Sequence, residues 1–202
     1  MGKLAYFNID VLLQRFDLRH FVETGTGGGD SVHTARQYPF TTIWSCDIEH
    51  LLIEPLRHMQ DERVHLFIGR SVQMLNLLPN FSVDEPILFW LDAHFPGADC
   101  GLRPYDAEPD ETIRLPLQYE LQLIKRHRPA NRDVILIDDA RLWLDGPFQP
   151  IRAELVDACT PTERGVQFIV ELFQASHDLT LLHDQEGFIV LTPQSTSVPK
   201  DG

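Results

Sequence analysis

The chain has 202 residues, 43% of them hydrophobic and 23% charged, which suits one compact domain with a full core and argues against disorder. Its formal net charge of −13 argues against docking along a phosphate backbone, which needs clustered cations that release counterions. The dense basic run at 125–128 reads instead as the solvated end of a helix. Cys46, Cys100 and Cys159 are scattered without Cys-x-x-Cys spacing, which suggests reduced thiols. No apolar run approaches the ~20 residues of a membrane span, and the first ten residues lack a signal-peptide core. A cytoplasmic protein with no membrane and no nucleic-acid partner is therefore expected.

Strand-like and helix-like segments then alternate. The first strand is expected at His20–Thr24, followed by a glycine turn and a helix over 30–38. A second strand at Thr42–Asp47 leads to a helix over 51–59, and a third at Val64–Ile68 to a helix over 71–76. The fourth strand, 87–92, is followed by a long loop over 95–115, rich in Pro, Gly and Asp; loops of that length are usually functional or disordered. A helix at Leu117–His127 and a fifth strand at 134–138 complete the series. The fourth and fifth strands are unbroken apolar runs, as befits strands buried on both faces.

Thr160-Pro161-Thr162-Glu163 has capping-box spacing with Pro at the first helical position, so a helix is expected from there to about Ser176. Strands at 179–182 and 188–191 then flank a hairpin loop over 183–187. The pattern predicts a single α/β domain over 1–193, doubly wound and Rossmann-like, with a mostly parallel sheet closed by a C-terminal antiparallel hairpin. Residues 194–202 are expected to form a disordered tail, and no internal repeat is present.

Chemistry concentrates at strand ends. After Glu23, the run Thr24-Gly25-Thr26-Gly27-Gly28-Gly29 places glycines where a backbone takes positive φ and a ligand lies directly on it. A Walker phosphate loop is excluded because no Lys follows, and a dinucleotide fingerprint is weakened because Asp30 stands where its third glycine belongs. The third reading is the methionine end of S-adenosylmethionine, whose ammonium would account for the acidic Glu23. Asp47, at the end of the second strand, sits where a carboxylate accepts ribose hydroxyls. The fourth and fifth strands end in Asp92 and in Asp138-Asp139. Three crowded carboxylates repel unless a hard divalent cation such as Mg²⁺ takes their oxygens. The competing reading of Asp138 or Asp139 is a helix cap or a partner for Arg141.

The order of these motifs, over about 21–140, resembles the class I S-adenosylmethionine-dependent methyltransferases. It resembles in particular the catechol-type cation-dependent O-methyltransferases and related small-molecule tailoring enzymes. The resemblance implies that Glu23 opens the cofactor motif and that Ser31 touches the methionine carboxylate. It also implies that Asp47 holds the ribose, that Gly69-Arg70-Ser71 places Ser71 by the adenine, and that Asp92, Asp138 and Asp139 hold the metal. Two positions depart from it: Asp139 replaces the family's Asn, and Phe95 stands where the family has its catalytic Lys. His94 shares a strand face with Asp92 and is the candidate base or extra metal ligand. Asp92 thus serves cofactor wall, metal and catalysis together. The expected acceptor is a small hydroxylated molecule (a phenol, a sugar or a carboxylate). The oligomeric state stays open, with a homodimer among the options. Three rivals stand beside this reading: a metal-free methyltransferase with His94 as base, a nicotinamide-binding Rossmann-like enzyme, and a non-catalytic protein that kept the fold.

Overall fold

The computed structural model describes residues 4–194, so the expected tail, Gln194 apart, lies outside the described residues. The chain enters through a helix not foreseen in the sequence, α1 (Ile9–Phe16). Asn8 caps it by accepting the Val11 N–H at 3.1 Å, and Asp17 ends it in a left-handed conformation. Then follow β1 (His20–Thr24), α2 (Asp30–Ala35), β2 (Thr42–Asp47), α3 (His50–Ile53), β3 (Val64–Ile68) and α4 (Ser71–Leu75). The second half runs β4 (Ile87–Leu91), α5 (Glu111–Arg114), α6 (Leu117–His127), β5 (Val134–Ile137), α7 (Val156–Cys159), α8 (Gln167–Phe173), β6 (His177–Leu182) and β7 (Phe188–Pro193).

The strands form one seven-stranded sheet in the order β3-β2-β1-β4-β5-β7-β6. β1 to β5 pair in parallel, and β7 is inserted antiparallel between β5 and β6. The predicted hairpin is therefore present, with its second strand, not its first, against the parallel set. The unbroken apolar runs sort by alternation into two cores. Ile87, Phe89, Leu91, Ile135 and Ile137 face the side covered by α4, α6 and α8, while Leu88, Trp90, Val134 and Leu136 face α1 and α2. A strand buried on both faces has no polar positions to alternate with.

Several helix expectations fail for identifiable reasons. The predicted 51–59 helix is a single turn, α3, continued by a 3₁₀ segment Glu54–His58 with Pro55 in its first turn. The helix expected from Thr160 starts only at Gln167. Thr160 instead closes α7, its hydroxyl donating to the Val156 carbonyl at 2.6 Å, and Thr162 bonds the distant Glu111 carboxylate through its N–H at 3.0 Å and its hydroxyl. A tertiary partner has displaced the local capping box. Arg128 is not solvated: it is 2% exposed, doubly bonded to Asp133 at 2.9 Å, and donates to the carbonyls of Ser82 and Glu85 at 2.7 Å. That pairing ties the end of α6 to the edge of the sheet remote from the glycine turn. Among the described residues no helix is long and apolar enough to cross a membrane.

Candidate active site

Parallel strands end together, so their carboxyl ends deliver side chains to one edge. The backbone ladder continues past the strands: Asp92 N–H donates to Thr24 O at 2.9 Å, Asp138 N–H to Leu91 O at 3.0 Å, and Gly69 N–H to Asp47 O at 2.9 Å. Between these ends opens a cleft. Of the residues singled out from sequence, Gly25, Gly27, Asp47, Gly69, Ser71, Asp92 and His94 line it. Gly25 has φ +81°, and a Cβ there would overlap the Asp92 carbonyl, so only glycine lets β1 and β4 close on each other at this point. Gly27, at φ +49°, donates its N–H to Asp47 Oδ2 at 3.0 Å, while Glu49 N–H binds the other Asp47 oxygen at 2.8 Å. Burial raises the Asp47 carboxyl above its ordinary range, and those two N–H groups partly offset it.

Glu23, Thr24, Thr26, Gly29 and Ser31 do not line that cleft. Glu23 is 1% exposed beneath the turn, where it accepts the Ser45 hydroxyl at 2.5 Å; Ser45 in turn lies 2.6 Å from the Thr26 hydroxyl. Burial pushes Glu23 up to about 8 against the opposing pull of Ser45 and Ser31, and its Oε1 has no partner among the described residues. Gly29 packs on Leu56, leaving no room for a Cβ.

Asp92, Asp138 and Asp139 do converge, and His94 sits among them. Its Nε2 lies 3.1 Å from Asp92 and 3.3 Å from Asp139, and its Nδ1 lies 3.8 Å from Asp99. These are ion-pair distances without hydrogen-bond alignment: neither ring nitrogen has an aligned partner. Burial opposes charge on the imidazole, but the carboxylates of Asp92, Asp139 and Asp99 outweigh it and push His94 up to about 10. Ligand atoms of Asp92, His94 and Asp138 come within 4.8 Å of one another, a set with donors for a cation. Asp139 stands apart from that set. It holds a left-handed φ of +57° and pairs with Arg141 at 2.8 Å, as the structural reading of this residue anticipated. Burial raises Asp138 well above the ordinary carboxyl range, with Asp92 and Asp139 adding to it.

Three contributions were not read from sequence. Glu120 on α6 is 1% exposed and lines a small cavity with His94 and Asp138; burial pushes it up to about 7. A carboxylate on the apolar stripe of Leu117, Leu121 and Ile124 was the signal available for it. The 95–115 segment folds over the cleft, with Phe95, Pro96, Gly97, Asp99, Cys100, Thr112 and Ile113 on its wall. Arg103 fastens it to Glu49 at 2.7 Å, and Arg70 reaches Thr112 at 3.2 Å. Tyr105 donates to Asp99 at 2.5 Å, so the loop also buttresses the side of His94. Phe95, where the resemblance has a lysine, is 3% exposed and packs at a tilt between His94 and Tyr105.

No family model matches this chain, and no curated protein matches it. Solved structures do. A candidate caffeoyl-CoA O-methyltransferase from Staphylococcus aureus superposes with TM-score 0.57 at 12% identity, over 96% of this chain and 85% of its own. The SAH-bound Podospora anserina methyltransferase PaMTH1 does so with TM-score 0.57 at 15% identity, over 92% and 76%. Human methyltransferase-like protein 13, in complex with SAH, gives 0.55 at 14% identity, over 95% and 78%. The chain thus has the Rossmann-like fold of class I methyltransferases, as its strand order indicates.

Proposed function

We propose that this chain is an S-adenosylmethionine-dependent methyltransferase, a cation-assisted O-methyltransferase acting on a small hydroxylated molecule. One observation carries the reading: Gly25 and Gly27, Asp47, Gly69 with Ser71, and Asp92 with His94 come from four consecutive parallel strand ends and line one cleft. The fold shared with SAH-bound structures supports it.

The residues have separable tasks. Gly25 and Gly27 bring bare backbone to the ligand, and Asp47, already oriented by Gly27 and Glu49, accepts ribose hydroxyls. Ser71 and the Arg70–Thr112 contact bound the adenine end. S-adenosylmethionine supplies a methyl group already activated on sulfonium, so the protein's main work is to align an acceptor oxygen with it. Glu23, screened from the cleft and held protonated by burial, supports the turn from behind through Ser45.

The cation assignment rests on orphaned donors. Both nitrogens of His94 and Oδ1 of Asp138 are buried without an aligned hydrogen-bond partner, in a set drawn together with Asp92. Asp92, His94 and Asp138 would hold the ion, with Asp139 kept by Arg141. When bound, a divalent cation supplies Lewis acidity that lowers the pKa of an acceptor hydroxyl. Without one, the surrounding carboxylates keep His94 protonated and unfit to take a proton, which favours the cation-assisted reading over a metal-free base. The 95–115 segment walls that side, where Tyr105 donates to Asp99. A small-molecule acceptor met in the cytoplasm, without membrane or nucleic-acid partners, completes the proposal.

Calorimetry tests it. SAH should bind and NAD should not, and Asp47→Ala should weaken SAH at least tenfold through loss of the ribose acceptor. Binding of NAD in place of SAH, or an Asp47→Ala variant with unchanged affinity, would overturn the reading.

A further inference from the structure

We propose that Glu120 is a fourth member of the cation site, an outer carboxylate that orients the Asp92–His94–Asp138 group. The inference rests on the cation reading above and extends it to a residue outside the four strand ends. Glu120 lies on α6 in the stripe that packs Leu117, Leu121 and Ile124 against the sheet. A carboxylate placed there loses its hydration, so it persists only where a partner compensates. None of the described residues does so for its Oε1.

Asp138 Oδ1 also lacks a partner, and both His94 nitrogens, though at ion-pair distance from carboxylates, lack an aligned hydrogen bond. All three side chains line one small cavity, otherwise walled by apolar groups such as Leu117, Ile137 and Trp143. Unpartnered polar atoms reaching one apolar-walled cavity from α6, from the end of β4 and from the end of β5 mark a site whose occupant supplies the missing interactions. The carboxylates make that occupant a cation. Glu120 is outside the group whose ligand atoms lie within 4.8 Å of each other, which assigns it an outer role: holding a ligand's remaining N–H or a bound water. An imidazole in the set favours Mn²⁺, Co²⁺ or Zn²⁺ over Mg²⁺.

The test uses the full chain saturated with SAH and reads Mn²⁺ binding by electron paramagnetic resonance, with Mg²⁺ as competitor. Wild type should bind Mn²⁺ in preference to Mg²⁺. Glu120→Gln should weaken Mn²⁺ about 10- to 100-fold, the usual effect of losing an outer partner, and Glu120→Asp should recover part of it. The melting temperature of the metal-free Glu120→Gln protein should not fall, because the amide keeps the volume of a side chain that burial already pushes toward its neutral form. Glu120→Gln with wild-type Mn²⁺ affinity overturns the proposal. If that variant does not fold, Glu120→Asp decides: weakened Mn²⁺ binding supports it and wild-type affinity overturns it. Wild-type protein that binds SAH but no Mn²⁺ sinks the cation site with it while leaving the cofactor reading intact.

Discussion

Two glycines only three positions apart show how differently one turn constrains its residues. At Gly25 the left-handed φ of +81° and the Asp92 carbonyl both forbid a side chain, and the obstacle is backbone that cannot swing aside. At Gly28 an added Cβ would meet nothing within 4 Å. Gly25→Ala should therefore cost on the order of 3 kcal/mol, while Gly28→Ala should stay within about 0.5 kcal/mol. Urea unfolding of the two variants checks this, and equal losses would show that the β1–β4 approach is not the constraint. The residues of the turn were legible in sequence because glycine and acid at strand ends carry a backbone requirement with them. Depth was not. Glu23 reads like a ligand group, yet it lies under the turn against Ser45, and nothing in the order of residues distinguishes a carboxylate facing a cleft from one behind its wall. Asp139 and His94 exchanged expected places for a similar reason: Arg141, two residues on, claims Asp139, while His94 is left without aligned partners.

Elements with strong internal logic were readable, and those set by distant partners were not. α6 was placed to the residue, since its apolar stripe, Pro116 before it and basic last turn agree. The Thr160–Glu163 box failed because Glu111, far away in sequence, holds Thr162. That contact belongs to the same 95–115 region that covers the cleft, whose course no periodicity predicts. Its best-defined attachment is Arg103 to Glu49, next to the strand end that carries Asp47. Arg103 is half exposed, so the pair is worth at most about 1 kcal/mol. Arg103→Ala should then speed SAH dissociation about two- to fivefold, with little change in melting temperature, and raised salt should shrink the difference. Stopped-flow release of SAH measures it. An unchanged rate would mean that the segment covers the cleft without gating it.

At the scale of the whole molecule, the acidic balance is not spread evenly: buried acids with raised pKa gather at one edge of the sheet. Burial holds Glu23 protonated up to about 8 and Glu120 up to about 7, it raises Asp138 well above its ordinary range, and neighbouring carboxylates keep His94 charged up to about 10. Each of these groups keeps its proton in the folded state at a pH where the unfolded chain has released it. Their stabilising contribution is complete below the unfolded values and is lost as pH rises through the folded ones. Buried His20 and His177 shift the other way, but both are neutral in either state above pH 7, and the ion-paired Asp61 is charged in both, so they do not mask the trend. Chelator-treated protein should consequently lose stability between pH 7 and 9 by about 1.4 kcal/mol per pH unit for each retained proton, or on the order of 5 °C in melting temperature per unit. Saturating Mn²⁺ should flatten that slope, because ligands to a metal have already given up their protons. A metal-free melting temperature that stays level or climbs from pH 7 to 9 would mean that folding retains no protons in that range, and the account of these groups as held protonated by burial and by their neighbours would lapse.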